Sequence, residues 1–188
     1  MSCSAHISPV GHGRPVCGTP DTINHVLTID QATHDAIVAH ARRDHPDEAC
    51  GIVAGAIGSD LPTRHIPMLN AAMSPTFYEF DSTDLLKLYR DMDDRGEDPV
   101  VVYHSHTATE AYPSRTDINL ASEPEAHYVL VSTRESGNDE GPFDFRSYRI
   151  VDGVVNEEEV RIVPGYTEVP ENNQSAVNET SPNTIMEN

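Results

Sequence analysis

Two histidines, His104 and His106, close the strand-forming run Val100-Val101-Val102-Tyr103, and after seven more residues the chain reads Ser114-Arg115-Thr116-Asp117. Side chains of a strand alternate between two faces, so residues two apart at its end point the same way and can each give one ring nitrogen to a single cation. Asp117 then supplies a third, oxygen ligand. Zinc held by three protein groups keeps a fourth position for water, the pattern of a catalytic site and not of a structural one. The spacing therefore demands a sheet with a polar pocket at one strand end, and it predicts a hydrolytic enzyme. Taken singly, each residue has a plainer explanation: packed strand-end histidines, a carboxylate at a helix start, and a serine N-cap.

Another carboxylate, Glu48, stands at the mouth of the apolar run Ala49-Cys50-Gly51-Ile52-Val53-Ala54-Gly55, which reads as a buried strand. The combination of this glutamate with His-x-His, seven residues and Ser-x-x-Asp resembles the JAMM (MPN-plus) metalloproteases. In that family the two histidines and the aspartate bind zinc, the glutamate is the general acid/base, and the serine helps to stabilise the oxyanion. The resemblance thus implies Zn2+ ligands His104, His106 and Asp117, acid/base Glu48 and oxyanion helper Ser114. Thr107 departs from the pattern, since many members carry proline there; this changes the loop and not the ligand set. The stretch from Tyr103 to Asp117, with Glu125 to Ser132 beyond it, is most similar to the actinobacterial Mec-type members. Those remove cysteine from the C-terminus of CysO, a small ubiquitin-like sulfur-carrier protein, in a cysteine-biosynthesis route.

The resemblance covers roughly Leu27 to Val163 and implies the same activity and the same class of protein substrate. Its alternatives are a related peptidase or isopeptidase acting on another ubiquitin-like carrier, and a non-catalytic MPN scaffold module. Scaffold modules typically lose ligands or the glutamate, whereas all five positions are kept here. Members often pair as homodimers, so a homodimer is a further expectation.

At 188 residues and 37% hydrophobic content the chain has material for one substantial core. Twelve basic against 31 acidic residues give a formal charge of -19, a field that repels phosphate backbones and anionic lipid, so nucleic acid and membrane surfaces are excluded as partners. No apolar stretch approaches the roughly 20 residues that cross a bilayer. Met1 to Thr22 lacks the arrangement of a secretory signal, and three cysteines suit a reducing compartment, so a cytoplasmic location is expected. Residues 1–24 read as a disordered leader, 25–164 as the catalytic domain and 165–188 as a disordered acidic tail. Cys3, His6, His12 and Cys17 match no zinc-finger spacing.

Within the domain, a short strand from Val26 leads to a helix capped by Asp30, with Ala32, Ile37, Val38 and Ala41 on its apolar face. Strands follow at about Cys50 to Ile57 and Arg64 to Leu69, joined through Gly58-Ser59-Asp60, and Phe77-Tyr78-Glu79-Phe80 alternates as another. A helix opening at Asp81 or Ser82 carries the stripe Leu85, Leu86, Leu88, Tyr89 and Met92, all assigned to the core. A short helix from about Thr116 to Ser122 and strands at Ala126 to Ser132, Phe143 to Ile150 and Val154 to Val163 complete the set. Helices interleaved with mostly antiparallel strands argue for an α/β (α+β) sandwich on one mixed sheet. The family resemblance sharpens this to the MPN/JAMM fold, with the metal at one edge of the sheet beside the long helix. Cys50 reads as a small buried hydrophobe and His127 as structural or as a partner of the ligands, while Glu110 and Tyr112 could touch substrate.

Overall fold

The computed structural model describes residues 26–136 and 143–166. The expected leader, and the tail beyond Tyr166, lie outside them. In chain order the described elements are β1 (Val26–Asp30), α1 (Gln31–Asp44), β2 (Cys50–Ala56), β3 (Arg64–Met68), α2 (Ser82–Arg95), β4 (Glu97–His106), α3 (Arg115–Leu120), β5 (His127–Ser132), β6 (Asp144–Val151) and β7 (Val154–Val163). All seven strands join one sheet in the order β1-β7-β6-β5-β4-β2-β3. The β1–β7 and β4–β5 pairs are parallel and the other four antiparallel, as the alternation of element types predicts.

Helix starts follow local chemistry. Asp30 accepts the Thr33 N–H at the head of α1, and Asp81 accepts those of Thr83 and Asp84 at the head of α2, satisfying amides that have no partner within the helix. Gly96, in the left-handed region at φ 67°, ends α2. Pro99 lies inside β4, where a central strand ordinarily excludes proline. Here Val101 faces Val53 and Pro99 faces Ala54, so Val100 is an extra residue, and the proline falls where the ladder is already interrupted.

The alternation of β4 divides the core. Val101 and Tyr103 face α1 together with Leu27, Ile29, Ile37 and Val53. Val102 faces the other side with Tyr128, Leu130 and Tyr148, and α2 covers Ile52 and Ala54 with Leu88 and Met92. His104 and His106 continue the Val102 side by the two-residue period. Among the described residues, no helix is long and apolar enough to cross a membrane.

Four local expectations need correction. Phe77 to Phe80 form no strand: only an isolated bridge joins Phe80 to Asn70, because the Asn70 side chain takes backbone groups that a ladder would have used. Leu86 is 51% exposed, on the outer side of α2, and Ala32 is exposed in the first turn of α1, where Thr33 points inward instead. The paired histidines lie at the end of an inner strand, not at a lateral edge of the sheet.

Candidate metal and catalytic site

His104 and His106 are 2% and 5% exposed, and their Nε2 atoms face one another at 3.1 Å. Asp117 Oδ2 lies 3.5 Å from the first and 3.4 Å from the second. A four-coordinate ion with bonds of about 2.0–2.1 Å has ligand–ligand edges of about 3.3–3.4 Å, so this triangle has the size of one face of such a tetrahedron. Two neutral imidazoles and a carboxylate are the donor set of a divalent ion with a position left for water. The residues present therefore fit a metal.

Each donor is held by its own local structure. The ring of His106 directs Nδ1 to the Glu110 carbonyl at 2.9 Å, with Thr109 Oγ1 at 3.0 Å, which leaves Nε2 as the bare nitrogen of a neutral ring. Asp117 sits in the first turn of α3, where Ser114 and Asp117 form a reciprocal capping box: Ser114 Oγ accepts the Asp117 N–H at 3.2 Å, and Asp117 Oδ2 accepts the Ser114 N–H at 2.6 Å. The N-cap explanation of Ser114 is thus correct as geometry. It leaves the hydroxyl proton available, and Ser114 also borders the site.

Glu48 lies two residues ahead of β2, not within a strand, and is 5% exposed. It lines a small cavity of about 130 Å³ with His106, Ser114, Thr116 and Asp117. Two bonds between Ala49 and Ser105, one in each direction at 2.8 Å, fasten the Glu48 segment to the residue between the two histidines. Asn70 adds a bond to the Glu48 carbonyl at 3.0 Å. Neither Ser105 nor Asn70 carries a motif that marks it in the sequence. Ser105 points away from the ligands, and Asn70 is 22 residues from its partner, so only adjacency to the histidine pair gave any signal.

Burial pushes the Glu48 carboxyl up to about 7, with His106 opposing and Asp117 reinforcing the rise. Burial lowers His104. It works against a charged His106 as well, but hydrogen bonds to Asp117 and Glu110 and the nearby carboxylates outweigh it and raise that ring. Asp117 is pulled far down by its bonds to both rings and to Ser114, against the effect of burial. The cluster thus favours a positive charge between the imidazoles and a negative one on the aspartate, while burial favours the protonated form of Glu48.

Other residues lie elsewhere. His127 is fully buried, paired in register with Val101 five residues short of His106, and is bonded to Glu158 at 2.7 Å and Asp60 at 2.9 Å, so it has no contact with the His104–His106–Asp117 cluster. Cys50 is buried, with its thiol pushed up to about 12 by burial first and then by Asp44 and Glu48. Glu110 contributes its carbonyl to His106, a role its side chain did not suggest.

Residues 30–151 match the family described as prokaryotic homologs of the JAB domain. The chain is 63% identical over 142 residues to the CysO-cysteine peptidase of Mycobacterium tuberculosis, covering 76% of this chain and 94% of that relative. It is 33% identical over 111 residues to a desampylase of Haloferax volcanii, covering 56% of this chain and 80% of the relative. A solution structure of a protein from Desulfitobacterium hafniense superposes with a TM-score of 0.64 at 30% identity, over 75% of this chain and 94% of that one.

Proposed function

This chain belongs to the family of prokaryotic homologs of the JAB domain, and from that premise we propose that it is a zinc-dependent peptidase that hydrolyses the amide between the C-terminus of a CysO-like, ubiquitin-like sulfur carrier and cysteine. The reaction class and the carrier rest on the extent of identity to a CysO-cysteine peptidase. The observation that carries the chemistry is the convergence of His104 Nε2, His106 Nε2 and Asp117 Oδ2 at edges of 3.1 to 3.5 Å, beside the carboxyl of Glu48.

In this reading His104, His106 and Asp117 hold Zn2+. When bound, zinc supplies Lewis-acid polarisation of the scissile carbonyl and of water. Glu48 takes the proton of the attacking water and returns it to the leaving amine of cysteine, a task suited to a carboxyl that titrates near neutrality. Ser114, whose oxygen already accepts the Asp117 N–H, donates its own proton toward the developing oxyanion.

The test is hydrolysis of a carrier–cysteine adduct by the purified protein, with bound zinc quantified in parallel. Glu48→Gln is expected to keep the metal and to lower kcat by roughly 10²- to 10⁴-fold. His106→Ala is expected to lose both metal and turnover. Equal activity in wild type and Glu48→Gln would overturn the acid/base assignment. Preference for an unrelated ubiquitin-like carrier would overturn the substrate while leaving the chemistry in place.

A further inference from the structure

His106 is oriented by a hydrogen bond at its far nitrogen, but His104 is held differently. Among the described residues no hydrogen bond reaches His104 Nδ1. The Tyr78 ring instead lies flat against the His104 ring, with centroids 4.4 Å apart and planes 25° apart. The two histidine rings themselves are tilted by 60°, so each needs its own orienting contact.

The segment that carries Tyr78 is fastened on both sides. Asn70, 4% exposed, donates to the Phe77 carbonyl at 3.0 Å and accepts the Glu79 N–H at 3.2 Å, so the residues before and after Tyr78 are tied to one buried amide. The same amide donates to the Glu48 carbonyl at 3.0 Å. The Tyr78 ring also meets Phe80 edge-on at 5.5 Å. Tyr78 also lines a largely apolar cavity of about 380 Å³ with Ile52, Val102, Leu85 and Tyr128. Without its ring, the buried face of His104 would border that cavity, and rotation about the histidine side chain would meet less resistance.

We propose that Tyr78 is a positioning residue for the metal site: its ring, clamped through Asn70, stacks on His104 and fixes the plane in which Nε2 meets the ion. This rests on the ligand set proposed above. It assigns to an aromatic face the task that a hydrogen-bonding partner usually performs for a metal-bound histidine. The Tyr78 hydroxyl has no part in it, so phenylalanine should serve as well.

The test compares wild type with Tyr78→Phe, Tyr78→Leu and Tyr78→Ala, each purified metal-free and checked for folding by circular dichroism. Zinc affinity is measured by competition with a chromophoric chelator, and ligand geometry by the visible absorption of the Co2+-loaded protein. Tyr78→Phe should match wild type in both. Tyr78→Leu, which fills much of the volume without an aromatic face, should bind roughly 10- to 100-fold more weakly and show an altered cobalt spectrum, the size of loss known for partners that orient metal ligands. Tyr78→Ala should behave like Tyr78→Leu; if it fails to fold, Tyr78→Leu decides alone. A Tyr78→Leu protein with wild-type affinity and spectrum would overturn the proposal while leaving the ligand set intact. So would a Tyr78→Phe protein as impaired as Tyr78→Leu. A wild type that takes up neither zinc nor cobalt would overturn the ligand set and this proposal together.

Discussion

Cys50 stands two residues beyond Glu48, yet its surroundings make it chemically quiet: it is fully buried, and its thiol is pushed up to about 12. Alkylation follows the thiolate, so iodoacetamide at pH 8 should leave Cys50 untouched in the native protein and modify it in urea, as read by peptide mass mapping. Ser114 offers the opposite case, an exposed side chain that caps α3 and is proposed to serve the oxyanion as well. Ser114→Ala should cost about 1 kcal/mol of stability through the lost N-cap. It should also lower kcat by roughly 10²- to 10³-fold if the hydroxyl faces the oxyanion, with zinc content unchanged. A loss of stability without a loss of turnover would leave the serine a cap and nothing more. Both residues were legible in the sequence because their settings are local: an apolar run around Cys50, and a Ser-x-x-Asp spacing that is at once a helix start and part of the site motif. Asn70 was not legible, since its value lies in four backbone groups between Glu48 and Glu79 that only the fold brings within reach of one amide.

Among the elements, β4 carries His104 and His106, and β2, paired with it, fixes the segment that leads in from Glu48. Gly51, opposite Tyr103, has no room for a methyl group: a Cβ there would fall 2.4 Å from the Tyr103 hydroxyl and 2.6 Å from the Ile66 carbonyl. Gly51→Ala should therefore destabilise the protein by about 1–3 kcal/mol through overpacking, measured as a lower urea midpoint at unchanged slope. A neutral result would mean that β2 and β3 part more easily than their register suggests. The strands were read well from period and turn residues, although β4 runs further than expected in both directions, because a bulge absorbs Pro99 and the ladder to β5 continues through His106. Phe77 to Phe80 were misread for a physical reason. Alternating aromatics mark any backbone with one face in the core, and here that face sets Tyr78 against the His104 ring and Phe80 edge-on to Tyr78, while the backbone polar groups bond to a side chain instead of a strand. Leu86 shows the converse, as a leucine beside a core stripe carries no label of the face it occupies.

At the scale of the whole molecule, the sheet also carries buried polar groups on the face of β4 opposite His104 and His106. The Tyr103 hydroxyl lies between His40 Nδ1 at 2.6 Å and His65 Nε2 at 2.8 Å, and His40 Nε2 faces Asp44 at 2.9 Å. If both rings are neutral, His40 donates to Asp44 and accepts from Tyr103, whose oxygen accepts from His65, and every proton has one place to go. Burial, then His40 and Arg43, lowers His65 from 6.5 to about 4, and burial also lowers His40. A ring with a folded value below its unfolded one binds fewer protons in the native state, so its stabilisation is complete above about 6.5 and drains as pH falls toward 4. Glu48, raised to about 7, gives the opposite slope over the same window, so the His65 contribution is read as a difference: between pH 7 and pH 5 the wild-type urea midpoint should fall relative to that of His65→Gln, and parallel pH profiles for the two proteins would refute the assignment. No sequence signal joins residues 40, 65 and 103, because their meeting depends on α1 lying over both β3 and β4, two strands that β2 separates in the sheet. The reciprocal cap of α3 has a consequence at this scale as well. The two imidazoles are anchored in a central strand, but the oxygen that would complete their triangle travels with a six-residue helix whose opening turn it also fastens. If these three groups hold the proposed ion, stripping it with a chelator should unlatch one flank and leave the rest standing: deuterium uptake should rise first across residues 107–121, while the amides of β4 and β5 stay protected.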